Sequence, residues 1–135
     1  IIVLANGEKL PPADMENTII EDTLFHQAMV VGEGKPYLSA LVVLNNEQLD
    51  RLANKLNLDI SSKTSLQDPA LQKFLVERIG QQLKRFPGYA QIRRVAVIKQ
   101  AWNIENGMMT PTLKLRRPRI MDACQEQIGE LYQGH

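Results

Sequence analysis

Phe25-His26-Gln27-Ala28-Met29-Val30-Val31 and Tyr37-Leu38-Ser39-Ala40-Leu41-Val42-Val43-Leu44 flank the short loop Gly32-Glu33-Gly34-Lys35-Pro36. Two apolar, β-branched runs around a Gly/Pro loop predict a hairpin with a well-buried second strand. The segments around it supply the cover. Leu49, Leu52, Ala53 and Leu56 recur at helical spacing, with Asp50, Arg51 and Lys55 left for the outer face. A polar, Ser-rich stretch at 57–67 predicts a loop. Asp68 then caps a helix with Pro69 at its first position, and Leu71, Phe74, Leu75, Ile79 and Leu83 form its apolar stripe. Phe86-Pro87-Gly88 ends it. Residues 92–98 predict a further strand with Arg93 and Arg94 near an edge. Met121, Cys124, Ile128 and Leu131 predict a terminal amphipathic helix with Cys124 on its buried side.

Upstream, Ile1-Ile2-Val3-Leu4 is an apolar strand, Asn6-Gly7 a turn, and the return strand closes at Pro11-Pro12. Pro12 opens a helix, with Asp14 and Glu16 near its positive end and Met15 and Ile19 on one face. The expected fold is α+β: a small leading β-hairpin followed by a mainly antiparallel sheet, covered by helices on one side. A chain that opens on a strand without an initiator methionine is expected to be a piece of a longer protein.

Composition narrows the function. The 135 residues allow one domain, and 44% hydrophobic content is ordinary for a globular chain. Sixteen Lys plus Arg against fifteen Asp plus Glu leave a formal charge of +1, too small for the positive field of a nucleic-acid binder. The single cysteine excludes an internal disulfide, and with two histidines no spacing suggests a zinc site, so no metal ligands are expected. A reducing, cytoplasmic setting is expected. No apolar run is long enough to span a bilayer. Gly32 and Gly34 lack the full glycine fingerprint of a phosphate loop. His26, alone beside a strand, is read as structural, and Cys124 as packing.

The stretch with chemical potential is Thr110-Pro111-Thr112-Leu113-Lys114-Leu115-Arg116-Arg117, after Asn106-Gly107 and before Pro118. The two prolines keep the run out of a long helix, so Lys114 is expected on a surface loop, with Leu113 and Leu115 anchoring it on apolar neighbours. As charge alone, Lys114, Arg116, Arg117 and Arg119 are a solvated basic face.

Three stretches together say more. Trp102 to Arg117, Val30-Val31-Gly32-Glu33-Gly34-Lys35-Pro36-Tyr37-Leu38-Ser39-Ala40-Leu41 and Asn6-Gly7-Glu8-Lys9-Leu10-Pro11-Pro12 resemble the C-terminal domain of AMP-forming acyl-CoA synthetases, within the adenylate-forming superfamily. The long-chain fatty acid ligases look closest. Many relatives carry Gly immediately before the lysine, where this chain has Leu113.

The resemblance implies that residues 1–135 are the mobile C-terminal domain of a larger ligase. Its N-terminal domain, absent here, would hold most of the ATP, Mg²⁺ and fatty acid site, with CoA as co-substrate. Lys114 would serve adenylation, Arg116 and Arg117 would support its loop, and Asn6, Gly7, Glu8 and Lys9 would border the CoA path as the post-hinge loop. The isolated domain is expected to be inactive, and the resemblance leaves room for peripheral membrane contact by the parent enzyme. The alternatives are an adenylate-forming enzyme with another acid or acceptor, and a small anion- or nucleic-acid-binding module built on the 114–119 basic run. The second lacks interleaved exposed aromatics.

Overall fold

The computed structural model describes residues 1–59 and 68–133. The loop expected at 57–67 therefore falls mostly outside the described residues. Strands β1 (Ile2–Val3) and β2 (Lys9–Leu10) form the leading antiparallel hairpin. Helix α1 (Pro12–Ile19) follows, with proline in its first turn as expected. Strands β3 (Phe25–Val31) and β4 (Leu38–Leu44) pair antiparallel as the expected hairpin.

Helices α2 (Asn46–Leu56) and α3 (Pro69–Gln82) come next. The Asn45 side chain caps α2 by accepting from Gln48 N–H at 3.2 Å, and Asp68 caps α3 by accepting from Ala70 N–H at 2.8 Å. A 3₁₀ turn (Gly88–Ala90) leads into β5 (Ile92–Val97). Helices α4 (Arg117–Ala123) and α5 (Gln125–Leu131) close the chain.

The α+β class and the antiparallel hairpins stand, with two amendments. First, β5 joins the sheet parallel to β4, in the order β3-β4-β5, with Ala40 opposite Val95 and Leu41 opposite Ala96. Helices α2 and α3 lie in the connection, and a helical crossover is what returns a chain parallel to its starting strand.

Second, helices cover both faces of the sheet, not one. Leu38, Ala40, Val42 and Leu44 pack with the leading hairpin, α1, α2 and α3. Leu41 and Val43 join Met29 and Val31 against Trp102, Ile120, Cys124, Leu131 and Tyr132. All seven residues of β4 are buried. A run of apolar and small residues without polar alternation, Ser39 being its one hydroxyl, is the mark of a strand covered on both sides.

The terminal helix is also two pieces. The chain bends at Cys124 (φ −110°, ψ 21°) between α4 and α5. Ile120 takes the buried place expected of Met121, which is left 42% exposed, while Cys124 and Leu131 point inward as expected.

Both sheet edges receive help from helices. The Glu16 carboxylate of α1 accepts from Val30 N–H on β3 at 2.7 Å, and Gln72 Oε1 of α3 accepts from Val95 N–H on β5 at 3.3 Å. An unsatisfied edge donor is both an energetic cost and a template for mispairing, and these side chains remove it. Among the described residues no helix is long and apolar enough to cross a membrane.

Candidate functional site

Met109 and Leu115 bridge antiparallel across a tight hairpin that presents Lys114. Thr110 N–H donates to the Lys114 carbonyl at 2.9 Å, and Leu113 N–H turns back to the Thr110 carbonyl at 2.8 Å. Pro111, Thr112 and Leu113 are therefore a three-residue tip. Proline's fixed φ suits the first corner of such a turn, and the third tip residue adopts the left-handed region. Leu113 does so, at φ +63°. A leucine there costs roughly 1–2 kcal/mol that a glycine would not.

Lys114 is exposed, as expected. Its N–H donates to Thr110 Oγ1 at 3.1 Å, so the backbone under it is fixed while its side chain faces solvent. Leu115 packs into the Trp102–Tyr132 layer as expected. Leu113 does not anchor the loop: it stands 65% exposed at the hairpin tip.

The hairpin is tied to the sheet by side chains far away in sequence. Gln27 on β3 acts as a substitute strand: Oε1 accepts from Trp102 N–H and Nε2 donates to the Trp102 carbonyl, both at 2.8 Å. Below it, the Asn106 side chain donates to the Ala101 carbonyl at 2.9 Å and accepts from Asn103 and Met108 N–H at 3.1 Å. Gly107 has φ +79°, so glycine is needed for the backbone conformation; a Cβ there would stand 2.9 Å from an Arg119 guanidinium nitrogen, the end of a flexible, exposed side chain that can move aside.

On the far side of the lysine, Arg117 Nη1 and Nη2 donate to the two Glu16 oxygens at 2.7 and 2.5 Å. This bidentate pair joins the first turn of α4 to α1 and, through Glu16, to β3. Glu16, expected near the positive end of α1, is instead 6% exposed and committed to Arg117 and Val30; Asp14 is the acidic residue of that first turn. Arg116 is exposed, and its backbone N–H donates to the Met108 carbonyl at 2.8 Å.

The second candidate element is the Asn6–Lys9 turn. Leu4 N–H donates to the Glu8 carbonyl and Gly7 N–H to the Leu4 carbonyl, both at 2.9 Å, while Asn6 Oδ1 accepts from Glu8 N–H at 3.0 Å. Asn6, Gly7 and Lys9 are exposed and Glu8 is half-buried. Gly7 has φ +88°, yet a Cβ added there would meet no atom within 4 Å. Glycine answers the turn's conformation, with open space around it in this domain.

The Gly32–Pro36 loop holds that turn in place. Gly34 N–H donates to the Val3 carbonyl at 2.8 Å, Ala5 N–H to the Lys35 carbonyl at 2.9 Å, and Glu33 Oε2 accepts from Val3 N–H at 2.8 Å. Strand β3 thus links the two candidate elements: Gln27 supports the lysine hairpin, and the loop after Val31 clamps the Asn6–Lys9 turn.

Other sequence candidates resolve as structure. His26 is exposed. Arg93 is exposed, and Arg94 Nη1 donates to the Leu131 carbonyl at the end of α5 at 3.4 Å, a favourable place for a cation. Burial pushes the Cys124 thiol above its ordinary range, which keeps it protonated and unreactive. A groove of about 1040 Å³ along β5 includes neither Lys114 nor the Asn6–Lys9 turn, whereas a cleft of about 460 Å³ borders the hairpin at Thr110, Leu115 and residues 116–119. Sequence reasoning missed Gln27 and the true partner of Glu16. The one signal for Gln27 was a polar residue inside an apolar strand pattern.

A sheet between two helical layers, with a lysine raised on a braced hairpin, defines the class of small α+β domain to which the comparisons also lead. The family model described as AMP-binding enzyme C-terminal domain matches residues 1–135, and this chain belongs to that family. It is 31% identical over 136 residues to long-chain-fatty-acid–CoA ligase 1 of Cavia porcellus, covering 98% of this chain and 19% of that protein. It is 28% identical over 134 residues to a chloroplastic long-chain-fatty-acid–acyl-carrier-protein ligase of Arabidopsis thaliana, covering 97% and 16%. Among solved structures, the adenylation domain of a carboxylate reductase from Mycobacterium chelonae superposes with a TM-score of 0.81 at 25% identity, over 97% of this chain and 19% of that one. The chain spans about a fifth of the length of the curated ligase it matches.

Proposed function

We propose that this domain is the mobile C-terminal part of an AMP-forming long-chain fatty acid–CoA ligase, and that Lys114 serves its first half-reaction. The observation that carries this reading is the presentation of Lys114: exposed on a tight hairpin whose two flanks are tied to β3 through Gln27 and through Glu16–Arg117. In the first half-reaction the fatty carboxylate attacks the α-phosphorus of ATP, forming acyl-adenylate and releasing pyrophosphate. In the second, the CoA thiol attacks the acyl carbon and AMP leaves.

The first step brings an anion to a polyanion. A cation touching both the carboxylate oxygen and the α-phosphate offsets their repulsion and stabilises the charge that shifts in the transition state. A lysine fits because a compact charge on a flexible stem can enter and leave a shared site, whereas a bidentate arginine would tend to hold the phosphate. Arg117 is already committed to Glu16 and acts by holding the hairpin. Rotation of the domain then presents its other working face, the Asn6–Lys9 turn, to the pantetheine of CoA. The N-terminal domain of the same polypeptide is the partner in both states. Among the described residues no group of three His, Cys, Asp or Glu side chains is placed to hold a metal, so no step is assigned to Mg²⁺ on this domain. The substrate class fits a cytoplasmic enzyme that meets membranes at its periphery.

The test is to supply the full-length enzyme with ATP, Mg²⁺, CoA and a series of fatty acids. AMP and acyl-CoA should appear in equal amounts, and residues 1–135 alone should make neither. Failure of every fatty acid, or turnover by the isolated domain, contradicts the proposal. A second reading keeps Lys114 and changes the acceptor: a relative is named as an acyl-carrier-protein ligase, so a carrier-protein thiol replaces CoA. Offering both thiols separates the two.

A further inference from the structure

We propose that Leu113 is a positioning residue whose side chain seats the lysine hairpin on an apolar surface of the nucleotide-binding part of the same polypeptide. The inference rests on the adenylation role given to Lys114 above.

Two observations meet at this residue. The hairpin tip demands a left-handed third residue, and Leu113 supplies it at φ +63°, a conformation that glycine adopts freely and asparagine tolerates. The leucine side chain then receives no compensating burial, because it is 65% exposed. A residue that is both strained and solvated is unfavourable twice within this domain. The other described non-glycine residue at positive φ is Asn57 (φ 55°), at the C-cap of α2, where asparagine is an ordinary occupant. Among the described leucines, Leu113 beside Lys114 is the one that takes such a position.

Strain held at an exposed site beside the chemistry is accounted for when a second surface uses the side chain. The surroundings fit an interface anchor: one exposed apolar residue in a stretch that also exposes the cations Lys114, Arg116 and Arg119. The occupant is assigned to the same polypeptide because Lys114 must meet ATP and the acid there, and because this chain is about a fifth of the length of its ligase relative. Seating Leu113 against that surface fixes the hairpin's distance and leaves the neighbouring ammonium aimed at the reacting oxygens. The contact belongs to the adenylation state alone and is released when the domain turns to thioester formation.

The test uses the full-length enzyme with Leu113→Asn, Leu113→Gly and Leu113→Met, and with Lys114→Ala in parallel. Asparagine and glycine suit the turn, so those variants should melt at or above the wild-type temperature. Their kcat/KM for ATP–pyrophosphate exchange should nevertheless fall about tenfold, the size expected when a partly buried apolar anchor is lost. Thioester formation from preformed acyl-adenylate and CoA should be unchanged, and Leu113→Met should retain most of the exchange rate. A purely structural role would lower melting temperature and both half-reactions together, and that result overturns the inference. So does wild-type exchange by the asparagine and glycine variants while Lys114→Ala is crippled, which leaves the Lys114 reading intact. Wild-type exchange by Lys114→Ala removes both readings. Binding to phosphatidylserine vesicles that is lost in Leu113→Asn, with both half-reactions unchanged, would instead assign the residue to a membrane and overturn the inference.

Discussion

Arg117 places both terminal nitrogens of its guanidinium on the two oxygens of Glu16, a residue 101 positions earlier, and one of those oxygens also accepts from Val30 N–H. Glu16 keeps 8% of its side-chain surface and Arg117 35%. Removing one partner leaves a buried carboxylate short of donors. Arg117→Ala should therefore cost about 3 kcal/mol, the low end for a broken buried pair because Arg117 is partly solvated. The melting temperature should fall on the order of 10 °C. Arg117→Lys, which keeps charge and loses the fork, should lie between. A loss below about 1 kcal/mol for the alanine variant would mean that water replaces the guanidinium at little cost.

Gln27 is the second tie. Gln27→Ala leaves Trp102 N–H and C=O without their partner at 2.8 Å, and unmade bonds of this kind cost about 1–3 kcal/mol. Gln27→Glu keeps the acceptor but turns a carboxylate oxygen toward the Trp102 carbonyl, so it should not restore the tie. Because the tie lies under the lysine hairpin, ATP–pyrophosphate exchange by the full-length alanine variant should fall more than thioester formation. Equal losses would reduce Gln27 to a contributor to general stability.

Gly7 separates backbone need from steric need. Its φ of +88° strains any substituted side chain by roughly 1–2 kcal/mol, while the open space around it leaves room for one within the domain. Gly7→Ala should be mildly destabilising and nearly active. Gly7→Leu should melt close to Gly7→Ala but slow transfer to CoA, letting acyl-adenylate accumulate. Loss of pyrophosphate exchange in the folded leucine variant to the same degree as thioester formation would remove the CoA path from this turn.

Alkali should weaken the fold in a defined direction. Burial raises Cys124 above its ordinary 9.0 and Tyr132 above its ordinary 10.0. In the unfolded chain both ionise at their ordinary values while the folded chain keeps its protons, so the unfolded state binds fewer protons and stability falls as pH rises. The stabilisation is full below about pH 9 and is lost as pH climbs through the raised folded values. Urea midpoints should hold up to about pH 9 and then decline, and Cys124→Ala should show a shallower early decline. Parallel pH profiles for the two proteins would show that Cys124 does not contribute.

Features written in neighbouring residues were legible in the sequence. Asp68-Pro69 and the 71-75-79-83 stripe gave α3, Asn6-Gly7 and Asn106-Gly107 gave their turns, and the Gly32–Pro36 loop gave the central hairpin. Features made by distant partners were not. The parallel pairing of β5 depends on where two helices return the chain, and nothing in residues 92–98 encodes it. The unalternating β4 run did carry a sign of its second helical layer, since seven apolar or small positions in a row leave no face for water. Glu16 looked like an ordinary helix-terminal acid because its partner lies 101 residues away. At the candidate site, the exposure of Lys114 followed from its two prolines, while the outward Leu113 followed from a turn geometry that only the hydrogen bonds of Thr110 reveal.

Half-reaction kinetics of Lys114→Ala in the full-length enzyme test the role of this domain most directly. Loss of a positioned transition-state cation should lower ATP–pyrophosphate exchange by roughly 10²–10³. The exposed hairpin position predicts little change in melting temperature. Preformed acyl-adenylate bypasses the affected step, so its conversion with CoA to the thioester should proceed near the wild-type rate. An exchange rate unchanged from wild type, or equal damage to both half-reactions in a folded variant, would contradict the assignment of Lys114 to adenylation.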